Sequence, residues 1–600
     1  MSKPSRPTVW PTALLTAVLL LALSATPVSA KDNWTRIQSK NFTLIGNAGE
    51  PEMRKIAIHL EQFREAISRL LGQVKNNSAV PTTVVVFKSD SAYGPFKPQF
   101  RGKTRTNVAG YFLAGSDMNY ITLTSEARAD NPFPYHVIFH EYFHFLVGNN
   151  MLHAPVWLNE GLAEYYSTFE TFDDDQRFKI GRLIENHLQV LHSYSFMPLK
   201  TLLSVTHSSP EYNDSLKAAV FYSESWALVH YLLLGNNGAR KPQLIQFMRN
   251  LSSGLSVDEN FRQSFQGDYK QLESELRNYV RQVQFPVMVA TLTKPLEFDK
   301  QMQSAALADA EVNAYLGDLL LRNNRMDEAE AYLQKAFNQD KGLARAQISL
   351  AILRLRQRRF DEARGLLQSA MTADPQNYLG PFYYAENLSQ SGLYEEALAY
   401  YKRATALKPD AAGPHAGLGF TYTGLGREKE AEGEFQQALR LDPLSQDFYH
   451  GRSFTYLGLG RGKLSATAAQ LALQLQGWRE LSAMYMVLTA HFGYRQEHKS
   501  AEANDMLKKA AAVVDQTLWP YPVIRYLQHE ITAEQLLALA TDNDKQTEAH
   551  TYLGLDDSLN GKREAALQHL RWVKAHGNKH FYEYPVAVAE LERLEKGAGT

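Results

Sequence analysis

Small residues return every 34 positions through the second half of the chain. Ala329, Ala363, Ala397 and Ala431 form one series, and Ala336, Ala370, Ala404 and Ala438 a second. Gly317, Ala351, Ala385 and Gly419 form a third. Pro375, Pro409 and Pro443 each follow a member of the second series by five positions. A fixed period of this length requires a small supersecondary unit that buries its apolar face only by stacking on copies of itself. The small residues let two helices of one unit approach closely, and the prolines mark the turn into the next. The same register continues through Ser453, Ser465 and Ala472 as a degenerate fifth unit and through Ala490, Ala503 and Ala510 as a looser sixth. Gly554 and Ala566 restore it near the end.

Period and small positions together resemble the tetratricopeptide repeat. The expectation is an all-α solenoid over 305–477, followed by an atypical repeat-like helical region over 478–600. Stacked helix pairs make an extended concave face, suited to a peptide segment or a protein partner.

The first half has no such period. Asn41–Ile45 and Thr82–Lys88 are β-rich, and Asn107–Ala114 and Met118–Thr124 read as two strands joined by a Gly-Ser-Asp turn. Pro51–Leu71 has the apolar spacing of a helix, and helical spacing dominates from Asn131 to about Val283. A small mixed sheet followed by helices is an α+β layout.

Composition removes several classes of function. The 600 residues contain no cysteine, so disulfides, thiol catalysis and Cys-ligated metals are excluded. Lys plus Arg is 63 against 64 for Asp plus Glu, a net charge of −1, which gives no support to nucleic acid as a partner. Residues 1–30 carry Lys3 and Arg6, an uncharged apolar run from Ala13 to Ala25 and the small-residue pattern Val28-Ser29-Ala30. That order is a secretory signal with cleavage near Ala30. No later stretch is long and apolar enough to span a bilayer. A cysteine-free exported chain points to the bacterial periplasm.

The chemistry sits at 140–164. His140-Glu141-Tyr142-Phe143-His144 is an H-E-x-x-H on a helical segment. At about 100° per residue, His144 lies about 40° round from His140, and Glu141 about 100°. Both imidazoles therefore reach one metal, with the Glu141 carboxylate beside it, and two neutral imidazoles suit Zn²⁺. A catalytic zinc needs a third protein ligand and an open position. Residues 155–166 read PVWLNEGLAEYY, with 15 residues between His144 and Glu160. Glu164 follows Glu160 by one turn, so one carboxylate can bind metal while the next orients a ligand histidine. His136 reads as helix surface or an outer partner of the site, and His153 as exposed loop.

H-E-Y-F-H followed by W-L-N-E-G-L-A-E-Y resembles the gluzincin metallopeptidases, most closely the peptidase MA-like domains of bacterial envelope proteins. The resemblance covers about 31–291. It implies a thermolysin-like fold, one Zn²⁺ per chain on His140, His144 and Glu160, Glu141 as general base, and Glu164 orienting a ligand histidine. The 15-residue gap is shorter than the 18 or 19 usual in better-known gluzincins. Hydrolysis also develops an oxyanion that a fixed donor must stabilise. The segment AVFYSESWALVHYLLLGN resembles the stretch carrying the catalytic tyrosine of aminopeptidase N-like enzymes, which implies that role for Tyr222. In gluzincins an edge strand here pairs with substrate, and Gly110–Leu113 is the matching run. The G-x-M-E-N motif of aminopeptidase N-like enzymes is absent, which favours an endopeptidase.

Two functions lead at this stage, and a zinc enzyme acting on a non-peptide bond is a third. One is an exported zinc peptidase whose repeats bind substrate or a partner. The other is a non-enzymatic tetratricopeptide scaffold carrying a peptidase-like domain. Glu141, both histidines and Glu160 are present together, which favours the enzyme.

Overall fold

The structure is a computed structural model that describes residues 32–596, apart from 73–79, 101–102, 105–107, 127–134, 152–153, 174, 207–208, 252–254, 292–297, 299, 301, 444, 479–480 and 580. The signal expected over 1–30, and His153, lie outside the described residues.

The first part runs β1 (Thr35–Gln38), β2 (Thr43–Gly46), α1 (Glu50–Leu71), β3 (Thr82–Phe87), β4 (Gly110–Leu113) and β5 (Asn119–Thr124). Then come α2 (His136–Asn150), α3 (Val156–Ser167), β6 (Glu170–Phe172), β7 (Arg177–Ile180), α4 (Glu185–Ser193) and α5 (Ser215–Leu234). Strands β8 (Met288–Thr291) and β9 (Gln303–Ala306) lead into the solenoid. The principal sheet has the order β9-β1-β2-β3-β5-β4. β3 pairs in parallel with β2 and β5, and the outer pairs are antiparallel. The mixed sheet thus takes its last strand from just before the first repeat helix.

The expected strands at 82–88 and 118–124 match β3 and β5 within a residue, while those at 41–45 and 107–114 shorten or shift to β2 and β4. Sequence spacing missed β1 and the β6–β7–β8 sheet, which interrupts the helices expected from 131 to 283. These strands are only three or four residues long, too short for alternation to stand out.

Alternation along β3 explains its unbroken run of apolar residues. Val84 and Val86 face a core shared with α1, α2, α3 and α5. Val85 and Phe87 face a second core shared with Leu316, Leu319 and Leu320 of the first repeat helix, Asp309–Arg322. The sheet is therefore covered on both faces, the second time by the solenoid.

Helix pairs follow at 309–322 and 326–339, 344–356 and 360–373, 379–390 and 394–407, and 412–424 and 428–441. Pairs at 446–458 and 462–476, and at 481–496 and 500–511, continue the stack beyond the regular units. The periodic alanines Ala329, Ala363, Ala397 and Ala431 are fully buried. A Cβ on Gly317 would meet Leu333 Cγ at 2.7 Å, one on Gly419 would meet Phe435 Cζ at 2.9 Å, and one on Gly554 would meet Leu570 Cδ2 at 2.6 Å. The pair 543–559 and 563–576 thus repeats the close approach of the first unit. The last helix, Glu583–Lys596, packs Val586 into the core that holds Phe454.

A buried polar cluster joins the solenoid to the β4–β5 hairpin. Arg322 binds Asp117 through both terminal nitrogens and Asp318 through Nε at 2.8 Å. Tyr120 donates to Asp318 and Tyr383 to Asp117, each at 2.7 Å. Asn323 Nδ2 donates to the Tyr111 hydroxyl at 2.6 Å, so strand β4 itself is tied to the first repeat.

Candidate metal centre

Helix α2 turns its apolar residues Ile138, Phe139, Tyr142 and Phe143 into the core. Three- and four-residue spacing leaves His136, His140, Glu141 and His144 on its other side. Helix α3 lies across this side. Gly161 sets the depth of its packing, because a Cβ there would meet Ser225 O of α5 at 2.4 Å. That close approach brings Glu160 and Glu164, both buried, under the α2 histidines.

His140 Nε2 and His144 Nε2 are 3.0 Å apart, and Glu160 Oε2 lies 3.4 Å from the first and 3.3 Å from the second. Tetrahedral zinc with bonds of ~2.0–2.1 Å holds neighbouring donors about 3.3 Å apart. The triangle matches that spacing. Glu160 Oε2 is buried and faces the two imidazole nitrogens that close the triangle. Among the described residues these three form the only cluster of this kind, and the donor set of two imidazoles and a carboxylate fits zinc.

Charge couples the three groups. Burial alone would lower the His144 imidazole, but Glu160 outweighs it and raises the group to about 9. Burial opposes ionisation of Glu160 as well, and His144 and His140 hold its carboxyl far below the usual range. In the ion-free site the Glu160 carboxylate holds protons on the imidazoles, and a bound dication would displace them.

Around them stands an outer set. His144 Nδ1 lies 3.0 Å from Asn159 Oδ1, a contact that assigns the proton to Nδ1 and leaves Nε2 as the donor to metal. His140 Nδ1 faces Glu164 Oε1 at 3.5 Å. Glu164 Oε2 also faces His136 Nε2 at 3.0 Å and His187 Nε2 at 3.2 Å. Against its burial, His187, His136 and His140 keep the Glu164 carboxyl well below its usual value.

Glu141 is not part of the triangle. Its Oε2 accepts a hydrogen bond from the Phe112 backbone N–H of β4 at 2.8 Å. Glu141, the three converging groups, Asn159, Phe112, Tyr212 and Tyr222 line one cavity of about 300 Å³. Tyr222 sits beside Tyr212, with ring centroids 5.9 Å apart. Burial, then Glu160, raises the Tyr222 hydroxyl well above its usual value, so it stays a proton donor. The structure thus brings His140, Glu141, His144, Glu160, Glu164 and Tyr222 together. Sequence reasoning missed Tyr212, whose hydroxyl donates to Glu160 Oε1 at 3.0 Å, along with His187 and Asn159. Asn159 was legible as the neighbour of Glu160, but Tyr212 and His187 stand in no recognisable motif.

Family models match both halves of the chain. The model described as the Peptidase MA superfamily matches residues 110–282. Models described as tetratricopeptide repeat and TPR repeat match 320–380 and 388–426. The chain carries a Peptidase MA superfamily domain followed by tetratricopeptide repeats. No curated protein matches it. Among solved structures, Pseudomonas aeruginosa PilF is 18% identical, covering 37% of this chain and 98% of that one, with a TM-score of 0.31. PilW, a widely conserved type IV pilus biogenesis factor, is 15% identical, covering 35% and 94%, with a TM-score of 0.32. A thermophilic tetratricopeptide protein of Thermus thermophilus is 21% identical, covering 32% and 98%, with a TM-score of 0.27.

Proposed function

We propose that this chain is an exported, periplasmic zinc metallopeptidase of the gluzincin type. The observation that carries the reading is the triangle of His140 Nε2, His144 Nε2 and Glu160 Oε2, with Glu141 outside it in the same cavity.

His140, His144 and Glu160 would hold one zinc, which would supply Lewis acidity to a water and a substrate carbonyl. Asn159 and Glu164 keep the two imidazoles aimed at that point. Glu141 takes the proton of the attacking water at its carboxylate and returns it to the departing amine nitrogen. Tyr222 donates its hydroxyl hydrogen to the oxygen on which charge develops. Among the described residues β4 is an edge strand of the sheet, and its outward N–H and C=O groups would pair with an extended peptide once Glu141 gives up the Phe112 N–H. The Peptidase MA superfamily match over these residues supports the reading, and the amino-terminal pattern supports export.

The test is incubation of the zinc-loaded and the chelated protein with a diverse peptide mixture, with products sequenced by mass spectrometry. Zinc-dependent internal cleavage is expected. Absence of any zinc-dependent product would leave the scaffold reading.

A further inference from the structure

His187 meets the metal centre at one remove. It stands on α4, and its Nε2 lies 3.2 Å from Glu164 Oε2, while the other oxygen of that carboxylate faces His140 Nδ1 at 3.5 Å. His136 approaches Glu164 Oε2 at 3.0 Å, but from α2, the helix that already carries the ligand histidines. Of these histidines it is His187 that ties Glu164 to a different part of the chain.

The other nitrogen of the ring decides where that tie leads. His187 Nδ1 lies 3.0 Å from Ser223 Oγ on α5. Ser223 gives its hydroxyl hydrogen to Ala219 O at 2.7 Å, so its oxygen is left to accept from the imidazole. Ser223 is fully buried, and the His187 ring packs against Trp226, one turn further along α5, with centroids 5.7 Å apart. The imidazole is thus held at Nδ1, at Nε2 and across its face.

Ser223 follows Tyr222 directly. At about 100° per residue, a helix that turns Ser223 toward His187 turns Tyr222 about 100° away from it. That direction opens on the cavity that Tyr222 lines with Glu141 and Glu160. One imidazole therefore connects the carboxylate that aims His140 to the turn of α5 that aims Tyr222. Each nitrogen carries one of the two paths: contact at Nε2 fixes Glu164, and contact at Nδ1 fixes the rotation of α5.

We propose that His187 is a positioning residue that holds the metal ligand His140 and the hydroxyl of Tyr222 in register with each other, through Glu164 at Nε2 and through Ser223 at Nδ1. This rests on the zinc peptidase reading above and extends the working site to a group that touches neither metal nor substrate.

The test removes one nitrogen at a time in the full chain. The glutamine amide nitrogen reaches the place of Nε2, so His187→Gln keeps a donor for Glu164 and loses Ser223. The shorter asparagine amide reaches the place of Nδ1, so His187→Asn keeps Ser223 and loses Glu164. Zinc affinity is measured by competition titration, and kcat at saturating zinc on a peptide that the wild type cleaves. Zinc should bind about tenfold more weakly to His187→Asn than to His187→Gln. Turnover should rank the other way, with kcat at least about fivefold lower in His187→Gln than in His187→Asn and KM alike in the two. In a Glu164→Gln background the zinc difference should vanish, because its path runs through that carboxylate. Circular dichroism checks that each variant is folded, and a comparison between two variants of one position cancels a general loss of packing. Equal values, the same rank in both readouts, or a zinc difference that survives Glu164→Gln overturns the proposal. A wild type that binds zinc but cleaves no peptide would instead overturn the peptidase reading, and the zinc comparison would still decide the Glu164 path.

Discussion

The backbone N–H of Phe112 donates to Glu141 Oε2 at 2.8 Å, so the edge strand and the carboxylate beside the candidate metal centre meet in one hydrogen bond. A peptide laid along β4 would compete for that N–H and release the carboxylate toward the reacting water. The two features that a peptidase needs, a backbone template and a base, are thereby held in register before substrate arrives.

The two cavity tyrosines should separate in their effects. Tyr222→Phe removes a donor useful only once charge has developed, so kcat should fall by about 10²-fold with KM nearly unchanged. Tyr212 donates to Glu160, so Tyr212→Phe should act on zinc affinity first. Steady-state kinetics at saturating zinc, paired with a zinc competition titration, reads both.

Glu164 is wedged among His136, His140 and His187. Glu164→Gln keeps its shape but removes the charge that orients His140. Zinc affinity should fall by about 10- to 100-fold in the same titration. Unchanged affinity would reduce Glu164 to a structural acid.

Much of this site was legible in the sequence because it is built from two short helical segments, where spacing alone fixes which residues share a face. His140, His144, Glu160 and Glu164 follow that rule. The solenoid was legible for a related reason: Gly317, Gly419 and Gly554 sit at repeated positions where a side chain would collide with the facing helix. What escaped is whatever depends on contacts between distant segments. Tyr212 and His187 reach the site from a short helical turn and from α4, neither with a motif. The packing of the first repeat on the sheet, through Phe87, Tyr120 and Leu319, also has no local signal.

That packing has a consequence for dissection of the chain. A fragment ending at 295 would lack β9 and expose Ile45, Val85, Phe87 and Tyr120 to water. It should aggregate, whereas full-length protein stays monodisperse in light scattering. Within the full chain, Arg322→Ala strands Asp117 and Asp318, both buried, and should cost about 3–5 kcal/mol of unfolding free energy in a urea titration.

Acid should weaken the peptidase-like domain through His230. This fully buried imidazole donates from Nε2 to Gly181 O at 2.8 Å and accepts from the Tyr279 hydroxyl at 2.7 Å, so its neutral form is satisfied at both nitrogens. Burial lowers its pKa to about 4. In the unfolded chain it returns to about 6.5 and binds its proton first, so stability is intact above that pH and is lost as pH falls toward 4. At pH 5 this one group should cost ~2 kcal/mol. Thermal unfolding followed against pH measures the loss, and the ring ¹⁵N shifts of His230 should remain those of a neutral imidazole at pH 5.

The most direct test of the central claim compares wild type, Glu141→Gln and His144→Ala for zinc content and for hydrolysis of one peptide that the wild type cleaves. Glu141→Gln should retain one zinc per chain, measured by mass spectrometry after dialysis, and lose hydrolysis by orders of magnitude. His144→Ala should lose the zinc itself. Full zinc occupancy in His144→Ala, or wild-type turnover in Glu141→Gln, would contradict the account.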